Sequence, residues 1–398
     1  MLDMRPFLLL FLALIININI LSGQSDSINE NHSGNLYLDL KTISFGRNKE
    51  YFSPIDRGLV YLGTMDRRDQ MIYKPGYGYF DPNIEGYTLL GNFIQPSIMY
   101  FPFRKLSIKA GVHILNYSGT GKLSQIKPVI SMKYRFSDRT SLTLGSLDGV
   151  DLHKMFDPLF DQEKMYNQNS ENGVEILSEN KHFFTDTWVD WEHFIFYGDT
   201  TREMLTFGES FKYTSDKFMD LFDINIPFQF SIKHKGGQIS YFSQPMETYI
   251  NFAAGAGANF DINGGSSGRI GFDYIYLYYY DNSPDKILSF DHGHANWLRL
   301  HYDYKLLRLE AAYWKSHNFY APNGNLVYSS ISGYKGHTIL PDRSLLSASL
   351  FLTIHPVKNF EIYFGFDYYY DVAIDESYNA ASLHISFSEL IKLLSFKK

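Results

Sequence analysis

The stretch Arg269–Asp281, RIGFDYIYLYYYD, decides how the rest of the chain is read. Side chains of an extended strand alternate between two faces. One face here carries Ile270, Phe272, Tyr274, Tyr276, Tyr278 and Tyr280; the other carries Arg269, Gly271, Asp273, Ile275, Leu277 and Tyr279. A soluble sheet buries its apolar face and wets its polar one. A sealed core has no need of an apolar face that thickens into tyrosines toward one end. An aromatic girdle does, because there the ring body meets lipid while the hydroxyl stays in water.

Other segments repeat the pattern over lengths that soluble strands, at about 5–6 residues, do not usually reach. Leu106, Ile108, Ala110, Val112 and Ile114 alternate with Ser107, Lys109, Gly111 and His113; Phe222 to Ile232 and Phe360 to Tyr370 behave alike. Membrane-crossing strands of about 9–11 residues read this way, with apolar positions toward lipid and polar ones toward the lumen. Short connections at Pro102–Lys105, Ser137–Arg139 and Pro356–Asn359 alternate with long polar ones at Gly149–Lys181, Asp281–Ala295 and Pro322–Arg343. The expected fold is all-β: a transmembrane antiparallel β-barrel of about 14 strands, or 16 if Gln238–Phe242 adds its own, with short periplasmic turns and longer outer loops. Tyr276, Tyr278 and Tyr280, with Tyr368 and Tyr370, are placed at the outer girdle, and the run Ala253–Ala258 at a bend or close approach of the wall.

Composition agrees. The 398 residues include 31 Tyr and 33 Phe, and a net charge of −7 argues against a nucleic-acid partner. The absence of cysteine removes disulfides, thiolate chemistry and Cys-ligated zinc. Residues 1–24 read as a secretory signal peptide: Arg5, an apolar run Phe7–Leu21, then Ser22-Gly23 before the cut. Residues 25–398 are assigned to the barrel, with 388–398 as a short periplasmic tail.

The last strand, with Leu383, Ile385 and Phe387, is similar to the aromatic-terminated signal of bacterial outer-membrane proteins, although SELIKLLSFKK follows it. Gly86–Pro102, Gly145–Ile176 and Thr185–Tyr213 resemble an uncharacterised, porin-like outer-membrane barrel family common in the Bacteroidota. That resemblance implies location and architecture and carries no activity or substrate.

Chemistry-bearing motifs are few. Asp291-His292-Gly293-His294 (DHGH) is the nearest to a metal or catalytic cluster, but no third partner can be identified. Asp186, Asp190 and Glu192 share the face of Trp188, and a structural ion network suits them better than acid–base catalysis. No GxSxG elbow, phosphate loop or HExxH helix occurs. The candidate pore lining is Lys109, His113, Lys133, Arg135, Asp190, Glu192, Asp273, Arg299, His301, Asp303, Arg308, Glu310, Glu361 and Asp367, joined by Asp186 and His384.

The leading expectation is therefore a non-enzymatic, cofactor-free porin-like channel for small polar solutes in the outer membrane. Its partners would be outer-membrane lipid and those solutes, with a homo-oligomer or a membrane-protein partner left open. The loop Gly149–Lys181, anchored by Met155, Phe156, Leu159 and Phe160, is the candidate constriction or lid. A partner-binding scaffold and a hydrolase with a rim site near Asp291, His292 and His294 are the alternatives.

Overall fold

A computed structural model describes residues 32–50, 64–65, 71–72, 86–149, 153–237, 245–331 and 338–396. The expected signal peptide and the segment Gln238–Phe242 lie outside them. Sixteen antiparallel strands close on themselves as a barrel. They are β1 (Asn35–Glu50), β2 (Thr88–Phe103), β3 (Leu106–Tyr117), β4 (Gln125–Arg135), β5 (Thr140–Ser146), β6 (Asn172–Glu179), β7 (Phe183–His193) and β8 (Glu203–Thr214). There follow β9 (Phe222–Gly236), β10 (Glu247–Asp261), β11 (Arg269–Asp281), β12 (His292–Tyr304), β13 (Leu307–His317), β14 (Asp342–Val357), β15 (Phe360–Asp371) and β16 (Glu376–Ser395).

The strand number is thus the upper of the two expected, reached without Gln238–Phe242. Inside the expected loop Gly149–Lys181, the stretch NGVEILSE forms β6, pairing Val174 with Leu144 on one side and Val189 on the other. The expected tail 388–398 is also strand through Ser395. Ser388 opposes Lys41 and Ser395 opposes Asn35, so β16 closes the barrel on β1 along its whole length.

Both ends of the described chain lie at one rim, the terminal end. The connections there are short: 104–105, 305–306 and 358–359 are two-residue turns, the last using Asn359 at φ 71°. At the opposite rim, the loop end, the connections include 147–171, 282–291 and 318–341. Thr338–Ile339 there runs parallel to Met71–Ile72, which pairs with Thr64–Met65.

The wall alternates as its sequence requires. On β11, Ile270, Phe272, Tyr274 and Tyr280 are exposed on the outside, while Ile275, Leu277 and Tyr279 are fully buried inside. The outward residues line up across strands in rows: Phe272, Leu300, Ala311, Ala348 and Tyr368, then Tyr274, Leu298, Tyr313, Leu346 and Tyr370. An apolar outer band rising into tyrosines is the surface a bilayer solvates, and a closed barrel leaves no unpaired edge within it. The small run Ala253–Ala258 does mark a close approach: a Cβ at Gly257 would lie 2.0 Å from Asp273 Oδ1.

Inside, the loop-end half of the barrel is filled. Met155, Leu159 and Phe160 from the first long loop meet Phe319, Val327 and Tyr328 from the last, and both pack on Trp188, Ile275, Leu277, Tyr279, Trp297, Trp314 and Tyr369 of the wall. This is an apolar core built inside a barrel. It answers why β11 carries apolar residues on its lumen face as well.

Candidate functional site

Charge pairing organises the polar side chains of the strands. Lys109 sits 2.9 Å from Asp39 and 3.3 Å from Asp148, and Lys133 is 2.8 Å from Asp148. Burial alone would raise the Asp148 carboxyl, but Lys133, Lys109 and Lys41 together hold it well below the usual carboxylate range. Arg299 makes two hydrogen bonds to Glu310, at 3.1 and 2.7 Å, beneath the Trp297 ring. Arg308 bridges Asp303 at 3.1 Å and Glu310 at 3.4 Å, and His301 lies 3.6 Å from both Asp273 and Asp303. Glu361 takes His384 at 3.3 Å, Asp367 is hydrogen-bonded to Ser349, and His113 meets Gln95 at 3.2 Å. Glu192 pairs with Lys233, and Asp190 accepts the Asn172 backbone N–H at 2.9 Å. Arg135 is exposed at the terminal rim. Below the plug the lumen keeps a cavity of about 670 Å³, lined among others by Arg47, Arg299, Arg308, Glu310 and His355.

The plug is fastened by polar bonds as well as by burial. Gln229 Oε1 accepts the Phe156 N–H at 2.7 Å, Lys164 donates to Asn323 Oδ1 at 2.9 Å, and Asn323 donates to Thr206 at 2.9 Å. Arg343, fully buried, pairs with fully buried Asp371 at 2.7 Å and donates to the Ser329 carbonyl at 2.7 Å. Asn325 donates to Asp157 at 2.7 Å and so joins the two plug loops. Burial and the nearby Asp161 carboxylate push Asp157 up to about 7.

Deepest in the plug, His153 lies flat on Trp188, ring centroids 3.7 Å apart and planes at 7°. Asp186 takes its Nδ1 at 2.7 Å and Glu171 its Nε2 at 2.7 Å. Burial opposes a charged imidazole, but the Glu171 and Asp186 carboxylates outweigh it and push His153 up to about 10. With both ring nitrogens engaged and no exposed surface, this histidine has no face to offer a substrate.

A different cluster stands on the outside of the barrel, above the apolar band on β12, β13 and β14. The row after Tyr274, Leu298, Tyr313 and Leu346 is Tyr276, Asn296, Lys315 and Ser344; the next is Tyr278, His294, His317 and Asp342. Within two rows the outer surface changes from leucine and tyrosine to amide, ammonium, hydroxyl, imidazole and carboxylate. His317 and Asp342 are hydrogen-bonded, Nδ1 to Oδ1 at 2.8 Å, and Asn318 Nδ2 lies 3.2 Å from His317 Nε2. The rings of His294 and His317 are 6.1 Å apart, and His294 stacks on Tyr276. Asp291 and His292, hydrogen-bonded at 2.6 Å, sit at the same rim. The DHGH motif thus gains the partner that its own sequence could not supply, through the strand register that sets His294 against His317.

Chemistry on a lipid-facing panel raises the matter of kinship. A family model described as lipid A 3'-O-deacylase-type matches residues 67–396. The chain belongs to that family. The family is named for an enzyme activity, which overturns the expectation of a non-enzymatic barrel. No curated protein matches the chain. Among solved structures it is similar to the outer membrane protein OprD of Pseudomonas aeruginosa, with TM-score 0.50 and 11% identity over 90% of this chain and 95% of that one. OccK11 of the same organism gives TM-score 0.47 and 10% identity over 93% and 100%, and a loop-deleted OmpT of Vibrio cholerae gives 0.46 and 10% over 89% and 99%. The likeness to OprD establishes the shared fold, a porin-like outer-membrane barrel.

Sequence reasoning did not find His153, Glu171 and Glu175, which fall in a segment read as loop, nor Lys315, His317, Asp342 and Ser344. For the second group a signal existed. Extending the outward alternation of β13 and β14 past Tyr313 and Leu346 turns it from apolar to polar in the rows where β11 carries Tyr276 and Tyr278.

Proposed function

We propose that this outer-membrane barrel hydrolyses an acyl ester of an outer-leaflet glycolipid, at the panel formed by His294, Lys315, His317, Asp342 and Ser344. The carrying observation is the hydrogen-bonded Asp342–His317 pair on the lipid-facing side, just above the apolar band. Ester carbonyls of a glycolipid lie at that depth, between acyl chains and sugar headgroup. Membership in a family named for lipid A deacylation supports the same substrate class.

The chemistry follows from the pair. Asp342 accepts the Nδ1 proton of His317 and fixes the tautomer, leaving Nε2 as the base. In the resting arrangement Asn318 donates to Nε2, and a water displaces it when substrate is bound. His317 takes a proton from that water, whose oxygen bonds to the ester carbon. The Lys315 ammonium, two residues along β13 and on the same outer face, would stabilise the developing oxyanion. Collapse breaks the acyl C–O bond, and the proton held by His317 passes to the sugar hydroxyl that leaves. The products are a free fatty acid and a lipid shortened by one acyl chain.

The test is the mass profile of lipid A from cells producing the barrel. The wild-type chain is expected to convert part of the pool to a species lighter by one acyl group, and Asp342→Asn to abolish that conversion at equal barrel abundance. Equal profiles for the two would remove the panel from the reaction.

Passage of small polar solutes is a second reading, favoured by the charged cavity below the plug with Arg299, Arg308 and Glu310 on its wall. It requires displacement of the plug, and the bilayer experiment described below bears on it.

A further inference from the structure

We propose that His153, Glu175 and Asp186 form a structural site for one divalent cation of the zinc type, pinning the first plug loop to β6 and β7. The proposal is independent of the hydrolytic reading, since the site lies inside the barrel and away from the lipid-facing panel. One ligand atom from each residue falls in a group whose members are all within 4.8 Å of one another. All three residues are buried, His153 and Asp186 at 0% exposure and Glu175 at 1%.

Two carboxylate oxygens aimed into this space lack partners among the described residues: Asp186 Oδ1 and Glu175 Oε1. Glu175 has one weak bond there, accepted by Oε2 from Thr143 at 3.3 Å. A buried acceptor without a donor costs about 1–3 kcal/mol, more when charged, so two in contact require an explanation. Charge points the same way. Glu171, Glu175 and Asp186 surround one imidazole, and Lys133, whose charge acts on Glu175 and Asp186, is already engaged by Asp148. A dication supplies the missing positive charge.

The donor set selects the ion. One imidazole nitrogen with two carboxylates suits zinc or a neighbouring transition ion, whereas calcium and magnesium prefer oxygen ligands throughout. Without the ion, Nδ1 is hydrogen-bonded to Asp186 Oδ2 at 2.7 Å; the ion takes the place of the proton between them, which is released on binding, while Glu171 holds Nε2–H at 2.7 Å as metal-bound histidines usually require. Trp188, stacked on the ring, fixes its plane, and a Cβ at Gly208 would lie 2.2 Å from that indole, so only glycine there leaves the indole its place. The ligands come from the plug loop (His153), β6 (Glu175) and β7 (Asp186). Binding therefore closes the loop onto the wall.

The experiment is zinc titration of the detergent-purified full-length barrel after chelator treatment, with a competing chromophoric chelator as readout. The expected result is one tight equivalent in wild type, lost in Glu175→Gln and in His153→Gln, with chelator also speeding protease cleavage within residues 153–171. Glu175→Gln is the deciding variant, because it leaves the His153–Asp186 and His153–Glu171 bonds in place; heat-modifiable gel migration checks that it folds. Binding that survives both variants but disappears in His292→Ala/His294→Ala/His317→Ala would assign the ion to the rim and overturn the proposal. Absence of any stoichiometric zinc would do so too, and would mean that a proton shared between Glu175 and Asp186 balances the cluster.

Discussion

Replacing Arg343 by methionine tests what holds the plug in the barrel. Arg343 and Asp371 are both fully buried and 2.7 Å apart, and the guanidinium also caps the Ser329 carbonyl at 2.7 Å. Removing one member of such a pair strands the other charge in a low-dielectric interior, which costs about 3–5 kcal/mol. Taking out both charges in a volume-conserving way costs far less, since buried pairs replaced by apolar residues are often neutral. Arg343→Met should therefore lose about 3–5 kcal/mol, and Arg343→Met/Asp371→Leu should regain most of it. At a urea slope of about 3 kcal/mol per M the midpoint should fall by about 1–1.7 M, and by proportionately less if the slope is steeper. Trp297 and Trp314, wall residues packed against the plug, provide the fluorescence signal in detergent micelles. A midpoint unchanged in the single variant, or a double variant no better than the single, would refute the view that this pair anchors loop 318–331.

Further expectations follow from the same packing. Asp157 has a folded pKa pushed up to about 7 by burial and Asp161. The stability it contributes is fully present below the ordinary carboxylate pKa near 3.8 and is lost as pH rises through about 7. Amide exchange in residues 153–171 should consequently be faster at pH 8 than at pH 5.5, and Asp157→Asn should flatten the difference; a wild-type rate independent of pH after correction for intrinsic exchange would contradict this. Gly208→Ala forces a Cβ to within 2.2 Å of the Trp188 indole, and overpacking of that kind costs about 1–3 kcal/mol. Near-UV circular dichroism should show the Trp188–His153 stack weakened, and an unaltered spectrum at unaltered stability would count against it. In a planar bilayer the wild-type barrel should give no stable conductance steps, while removing the apolar anchors with Met155→Ser/Leu159→Ser/Phe160→Ser should produce them. Steps from the wild-type chain would place solute passage ahead of a sealed lumen.

The barrel was legible because alternation is a property of each strand taken alone. RIGFDYIYLYYYD displays its outer face without reference to any neighbour. The plug was less legible, since whether a loop lies above a barrel or inside it depends on residues far apart in sequence. Yet the lumen face of the same strand held the clue: Ile275, Leu277 and Tyr279 are too apolar for a water-filled wall, as are Trp297 and Trp314. β6 escaped notice because a short strand with Glu175 in its middle and Glu179 at its end, NGVEILSE, reads as loop until β5 and β7 are seen to need a partner. The lipid-facing panel required strand register, which sets His294 opposite His317 across a hairpin and His317 opposite Asp342 across the loop 318–341.

Release of fatty acid by the purified barrel tests the central claim most directly. The protein is mixed with lipid A in detergent micelles, and free hydroxy and non-hydroxy acids are quantified by mass spectrometry for wild type and His317→Ala. A positioned general base contributes roughly 10²–10⁴-fold, so His317→Ala should retain at most about one hundredth of the wild-type rate. A His317→Ala barrel that folds and releases fatty acid at the wild-type rate, or a wild-type barrel that releases none, would contradict the assignment of the lipid-facing panel as the catalytic surface.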